Sequence, residues 1–170
     1  MSNQAPPAEE RPRAFLDRSE LTPFEYLGML AGLVLFVSLW LPWFTTGPNP
    51  DSRINAVGPD GSANAWETFG ILPWLFVALS AAPFILAWIV ARRHKLDWPT
   101  GEVTMVTGLI GVVLVLCNGF ILGKPGSDIQ ISIAIGWWLG LLACLGIFLS
   151  GLMRQAEKTS GRPRKPPGMI

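Results

Sequence analysis

Charge is scarce in this sequence. Only 15% of its 170 residues are Asp, Glu, Lys or Arg, against about 25% in soluble domains. A soluble domain needs charge over its whole surface, and the long uncharged stretches here exclude that. Histidine occurs once, at His94, flanked by Arg92, Arg93 and Lys95. A lone imidazole among cations is a poor metal ligand, and no Cys/His cluster has metal-ligand spacing. The two cysteines, Cys117 and Cys144, lie in apolar runs. They read as small buried hydrophobes rather than a disulfide framework. No phosphate-binding loop, nucleophile elbow or zinc-protease motif is present. The expectation is a protein with no cofactor, no metal and no catalytic residue. A net charge of +1 gives no argument for nucleic acid. The first twenty residues lack the apolar core and small-residue cleavage site of a signal peptide, so the first apolar segment is expected to stay and act as the insertion signal.

What the sequence has is apolar length. A spanning helix needs about 20 mostly apolar residues, because about 30 Å of hydrocarbon is crossed at about 1.5 Å per residue. Residues 24–44, 68–91, 103–122 and 131–153 each meet that length. Continuous apolar runs, without alternation, favour helices over a β-barrel. The predicted fold is therefore an all-α, four-span transmembrane bundle over residues 23–153. Residues 1–22 form a disordered tail, 154–170 a basic tail, and 45–67 a long loop. Thr22-Pro23-Phe24-Glu25, Asn64-Ala65-Trp66-Glu67 and Ser127-Asp128-Ile129-Gln130 are capping-box patterns, and Thr100 can cap the third span.

Lys and Arg give the direction. Arg11, Arg13 and Arg18 precede the first span. Arg92, Arg93 and Lys95 join the second to the third. Arg154, Lys158, Arg162, Arg164 and Lys165 follow the fourth. Those eleven share one side, and only Arg53 and Lys124 fall on the other. The positive-inside rule puts both termini in the cytoplasm and the 45–67 loop outside.

Tryptophans follow this map. Trp40, Trp43, Trp66 and Trp74 gather at the outer boundary, and Trp88 and Trp98 at the inner one, where an amphipathic indole settles. Trp137 and Trp138 sit deeper, as helix packing or as a stacking wall for an apolar ligand. Leu41-Pro42-Trp43 and Leu72-Pro73-Trp74 frame the outer loop, and each proline should end, start or kink its helix. Gly28/Gly32, Gly119/Gly123 and Gly136/Gly140 have the small-xxx-small spacing of close helix contacts, inside the bundle or across a homodimer. Glu25, Glu67 and Glu102 read as first-turn capping charges. Asn118 is expected to bond to another helix. Ser38, Ser80, Thr104, Thr107 and Ser150 are expected to bond back to their own.

The candidate site is the outer face: Trp43, Asp51, Arg53, Asn55, Trp66, Glu67, Trp74, Trp137 and Trp138. The leading expectation is a non-catalytic scaffold or subunit of a membrane complex. The alternative is binding or transport of a lipid or other apolar molecule at the outer interface. Partners would be membrane lipids, other membrane proteins or further copies of the chain.

Several short runs carry a resemblance. They are Ser38-Leu39-Trp40-Leu41-Pro42-Trp43-Phe44, Asn49-Pro50-Asp51-Ser52-Arg53-Ile54-Asn55, Ala65-Trp66-Glu67-Thr68-Phe69, Gly101-Glu102-Val103-Thr104-Met105 and Arg164-Lys165-Pro166-Pro167-Gly168. Together the chain resembles uncharacterised four-helix integral membrane proteins of actinobacteria. The resemblance implies four spans in a bacterial plasma membrane and brings no known activity, cofactor or catalytic residue.

Overall fold

The computed structural model describes residues 21–46, 61–92, 99–121 and 131–160. Helix α1 is Pro23–Ser38 and strand β1 is Pro42–Thr45. Strand β2 is Ser62–Asn64, followed at once by the one-turn helix α2, Ala65–Thr68, and then by α3, Leu72–Ala91. Helix α4, Thr100–Leu116, widens into a π-turn over Cys117–Ile121. Strand β3 is Ser132–Ile133, and α5 runs Ile135–Ser160. Three helices are long and apolar enough to cross a membrane, and α1 is a shorter apolar helix of 16 residues.

Two prolines set boundaries that differ from the sequence reading. The first span was expected to reach Phe44, yet α1 stops at Ser38. Leu39, Trp40 and Leu41 donate to Phe36, Val37 and Ser38, a tightened last turn. Pro42 has no N–H to continue it and opens a strand instead. Pro73 lies in the first turn of α3, where a missing donor costs nothing, so the second helix starts at Leu72 rather than Thr68. The third helix is entered through Pro99, whose carbonyl accepts from Glu102 and Val103. Thr100 is already inside the helix and is not the cap. The Ser127–Gln130 box lies outside the described residues.

The described chain is mostly helical, as expected, but it adds a short three-stranded antiparallel sheet of order β2-β1-β3 that an all-α fold does not include. Phe44 pairs with Ala63 on one side and Ile133 on the other, and Thr45 with Ser62 and Ser132. The β1–β2 register shifts between Pro42 and Phe44. That irregularity lets β1 leave the helix axis and lie across the bundle end. Ala134 donates to the Trp43 carbonyl at 2.8 Å, and Thr46 and the Thr45 hydroxyl both donate to the Gly61 carbonyl. Gly61 takes φ 81°, which its missing Cβ permits. Of the 45–67 segment, the described residues 45–46 and 61–67 are ordered, and the remainder lies outside the described residues.

The long helices form a ring in which α5 packs on α1 and α4, α1 on α3, and α3 on α4. Small residues close it. A Cβ on Gly32 would come 2.5 Å from the Ser80 carbonyl oxygen, and one on Gly28 2.9 Å from Ser150 Oγ. Gly136 and Gly140 of α5 receive the Trp43 ring and the Leu41 and Pro42 carbonyls, and Gly119 receives the indole of Trp137. These glycines are consumed within the bundle. Asn118 corrects another expectation: its amide donates to the Leu114 carbonyl of its own helix, not across to a neighbour. The five hydroxyls do bond back to their own helices. Both cysteines are free.

Candidate functional site

The sheet end holds most of the aromatic side chains and most of the outer-face candidates. Trp43 is fully buried. Its position follows from Pro42, which turns the chain so that the next side chain drops into the bundle. There Trp43 Nε1 donates to the Ser38 carbonyl at 2.8 Å, and the ring packs 5.8 Å from Phe69 and 5.4 Å from Phe76. Burying an indole with its N–H satisfied adds a large apolar area at no polar cost. Trp43 is therefore a core residue that pins the sheet to the helices.

The other tryptophans separate into two groups. Trp66 stands between Trp40 and Trp74 at centroid distances of 5.3 and 5.2 Å, and Phe36 stacks on Trp40 at 4.8 Å. This ladder joins α1, α2 and α3 on the outside of the bundle. Its rings touch one another, so no ligand fits between them. Trp137 is fully buried, 5.3 Å from Phe120 and 5.0 Å from the half-exposed Trp138. The tryptophans expected at the outer face thus divide into a core residue, a surface ladder and an α5 pair whose first ring is buried. Asp51, Arg53 and Asn55 lie outside the described residues.

Glu67 is committed to its own helix. Its carboxylate accepts from the Asn64 N–H at 2.9 Å, and the Asn64 side chain accepts from the Glu67 N–H at 3.0 Å. The box starts the single turn that carries Trp66. Asn64→Ala removes one arm and should cost about 1 kcal/mol. It should also loosen the ladder, read as increased quenching of tryptophan fluorescence by a soluble quencher. Unchanged stability and quenching would show that the cap is not what fixes Trp66.

The opposite end holds a polar cluster that the sequence reading missed. Glu25 in the first turn of α1 and Arg154 in α5 are both buried and form an ion pair. The second carboxylate oxygen of Glu25 accepts from the Thr22 N–H at 2.7 Å and from the Thr22 hydroxyl. Both charges are thereby neutralised where neither would be tolerated alone. The pair borders a small cleft lined also by Pro83, Leu86, Thr104 and Ser150, one contribution or more from each long helix. Nearby, Gln155 donates to Glu102 at 2.8 Å, joining α5 to the start of α4.

In sequence Arg154 reads as tail because it follows an apolar run, and Glu25 as a first-turn capping charge. A signal was present. Gly140, Ile147 and Arg154 recur every seven residues, and Glu25, Gly28, Gly32 and Leu35 follow a three–four spacing. Each charge extends a buried stripe by one more turn.

No protein-family model, no curated protein and no solved structure matches the chain.

Proposed function

We propose that this is a four-pass integral membrane protein of a bacterial plasma membrane, with both termini cytoplasmic. We further propose that it acts without catalysis, as a scaffold or subunit of a larger membrane complex. The eleven-to-two division of Lys and Arg supports the orientation. The place of α1 in the helix ring, between α3 and α5, supports counting it as a span. The resemblance to four-helix actinobacterial membrane proteins points the same way.

One observation carries the scaffold reading. The sheet end is a lid fastened to the bundle by Trp43, by pairing along both edges of β1, and by the Ala134–Trp43 bond. A lid built so firmly fixes Thr46 and Gly61, which bond to each other and flank residues 47–60. Presenting a polar segment from a rigid base is how recognition surfaces are made. Native mass spectrometry of the gently solubilised full-length protein tests this. A stoichiometric protein partner or a defined oligomer is expected. A strictly monomeric species with no co-purifying protein would overturn it.

A second reading, capture of a lipid or other apolar molecule at the outer interface, is favoured by the surface ladder of Trp40, Trp66 and Trp74. Lipid extraction after purification separates the two. Selective enrichment of one lipid, lost in Trp66→Ala, would favour capture. A lipid profile equal to that of the source membrane would rule it out.

A further inference from the structure

The exposed aromatic side chains recur at one spacing. Tyr26, in the first turn of α1, and Trp40, in the turn just past its end, are 49% and 53% exposed. Trp74 and Trp88, at the two ends of α3, are 65% and 50% exposed. Both pairs are separated by fourteen residues, or about 21 Å at the helical rise. The exposed apolar band of α4 and its π-turn runs from Val106 to Phe120, again about 21 Å; on α5 Trp138 and Leu152 have the same spacing, and the exposed Ile135 and Met153 extend the band to about 27 Å. The fourteen-residue spacing thus recurs on four helices of different length, with Ile71 and Ile135 reaching beyond it at the sheet end.

The two edges of the band are marked independently. At the sheet end, contacts within 5.3 Å put Trp40, Trp66 and Trp74 at one level, though they come from three elements. At the other end, the Arg92 guanidinium lies 4.1 Å over the Trp88 ring. A cation held there marks where hydrocarbon gives way to headgroups. On α1 the buried Glu25 adjoins Tyr26, and on α5 Arg154 and Gln155 follow Met153 within two residues.

We infer that the protein is matched to a bilayer with a hydrocarbon core of about 22 Å, well under the usual ~30 Å, and that short-chain phospholipid is its favoured surround. The inference rests on the membrane-spanning reading above. Counting the exposed Ile71 on α3 and Ile135 and Met153 on α5 raises the height only to about 26–27 Å, and helix tilt lowers it. It also accounts for α1. Sixteen residues make about 24 Å of helix, too short for an ordinary core but sufficient for this one. In a thicker membrane the lipid beside the protein must thin, at a cost that grows with each ångström of mismatch.

The test reconstitutes the full-length protein in vesicles of dimyristoleoyl, dioleoyl or dierucoyl phosphatidylcholine. Each preparation carries the same share of the matching phosphatidylglycerol. Flotation and resistance to alkaline extraction establish insertion first. Failure to insert in all three would overturn the membrane reading and this inference together. Thermal unfolding is then followed in each lipid. The midpoint should be highest in the dimyristoleoyl vesicles and fall by at least about 5 °C across the series. A midpoint that peaks in dioleoyl or dierucoyl lipid, or does not change, would overturn the thickness match and leave the membrane reading intact.

Discussion

Arg154→Met should destabilise the folded bundle by about 3–5 kcal/mol, the loss expected when one member of a buried ion pair is removed. Solvent screening gives little relief, because the Arg154 and Glu25 side chains are only 10% and 4% exposed. The two partners should not respond alike. In Arg154→Met the carboxylate of Glu25 is stranded on a short stem and held by Thr22. In Glu25→Gln the freed guanidinium sits on a long stem, within a few residues of the end of the apolar band. It can swing out toward the headgroups, so the loss should fall at the lower end of that range. The double variant Glu25→Met/Arg154→Met should recover most of what Arg154→Met loses, since an apolar pair of similar volume carries no desolvation cost. Unfolding in mixed micelles, followed by tryptophan fluorescence, measures all three. A double variant no more stable than Arg154→Met, or single losses under about 1 kcal/mol, would show that the pair is not buried as described.

That pair also marks where sequence reasoning stops. Hydropathy finds apolar length, so it recovered α3 and, with its π-turn, α4 to within a few residues, but it ended the last helix at Met153 where α5 continues to Ser160. It has no means of seeing that an Arg beyond the last apolar turn rotates inward. Inwardness is a property of the stripe on which the residue lies, and the stripe gains meaning only once a neighbour with an acid is known. Glu25 supplied that neighbour from 129 positions away. Capping accounts for Glu25 without any distant partner, and Thr22 does bond to it.

The sheet end was obscured for a different reason. Pro42-Trp43-Phe44-Thr45 is as apolar as the helix before it, so a window average extends the span through it. Only the proline says otherwise, and its effect depends on partners. β1 is stable because Ser62–Asn64 and Ser132–Ile133 reach it from distant parts of the chain. Neither strand has the length or alternation to be read locally. Trp43 and Trp74 illustrate the cost. They share a Leu-Pro-Trp tripeptide and were assigned one interfacial role. The first proline ends a helix and buries its tryptophan, whereas the second starts a helix and leaves its tryptophan exposed.

The glycines of α4 and α5 give the sharpest test of the packing itself. Gly108→Ala should cost about 3 kcal/mol, and Gly108→Leu more, because the added carbon meets backbone. A Cβ at Gly108 would lie against Phe148 N and 2.5 Å from Phe148 Cα. One at Gly151 would press on Met105 N and sit 2.7 Å from the Gly101 carbonyl oxygen. Neither obstacle can rotate away, so the helices must separate. Separation at that crossing also pulls on the Gln155–Glu102 bond one turn beyond. The remaining glycines predict a graded series. At Gly111 the obstacle is Cys144 Sγ at 2.7 Å, the end of a side chain that can turn, so Gly111→Ala should cost clearly less. At Gly146 the nearest atom is Ala31 Cβ at 3.0 Å, which a small shift of α1 relieves. Gly70 has nothing within 4 Å, so Gly70→Ala should be close to neutral. The expected order of loss is therefore Gly108 and Gly151, then Gly111, then Gly146, with Gly70 last. Unfolding midpoints of the five alanine variants in one lipid or detergent check it. If Gly108→Ala unfolds with Gly70→Ala, α4 and α5 do not approach at the distance that closes the ring. The four-helix arrangement would then have to be redrawn from that interface outward.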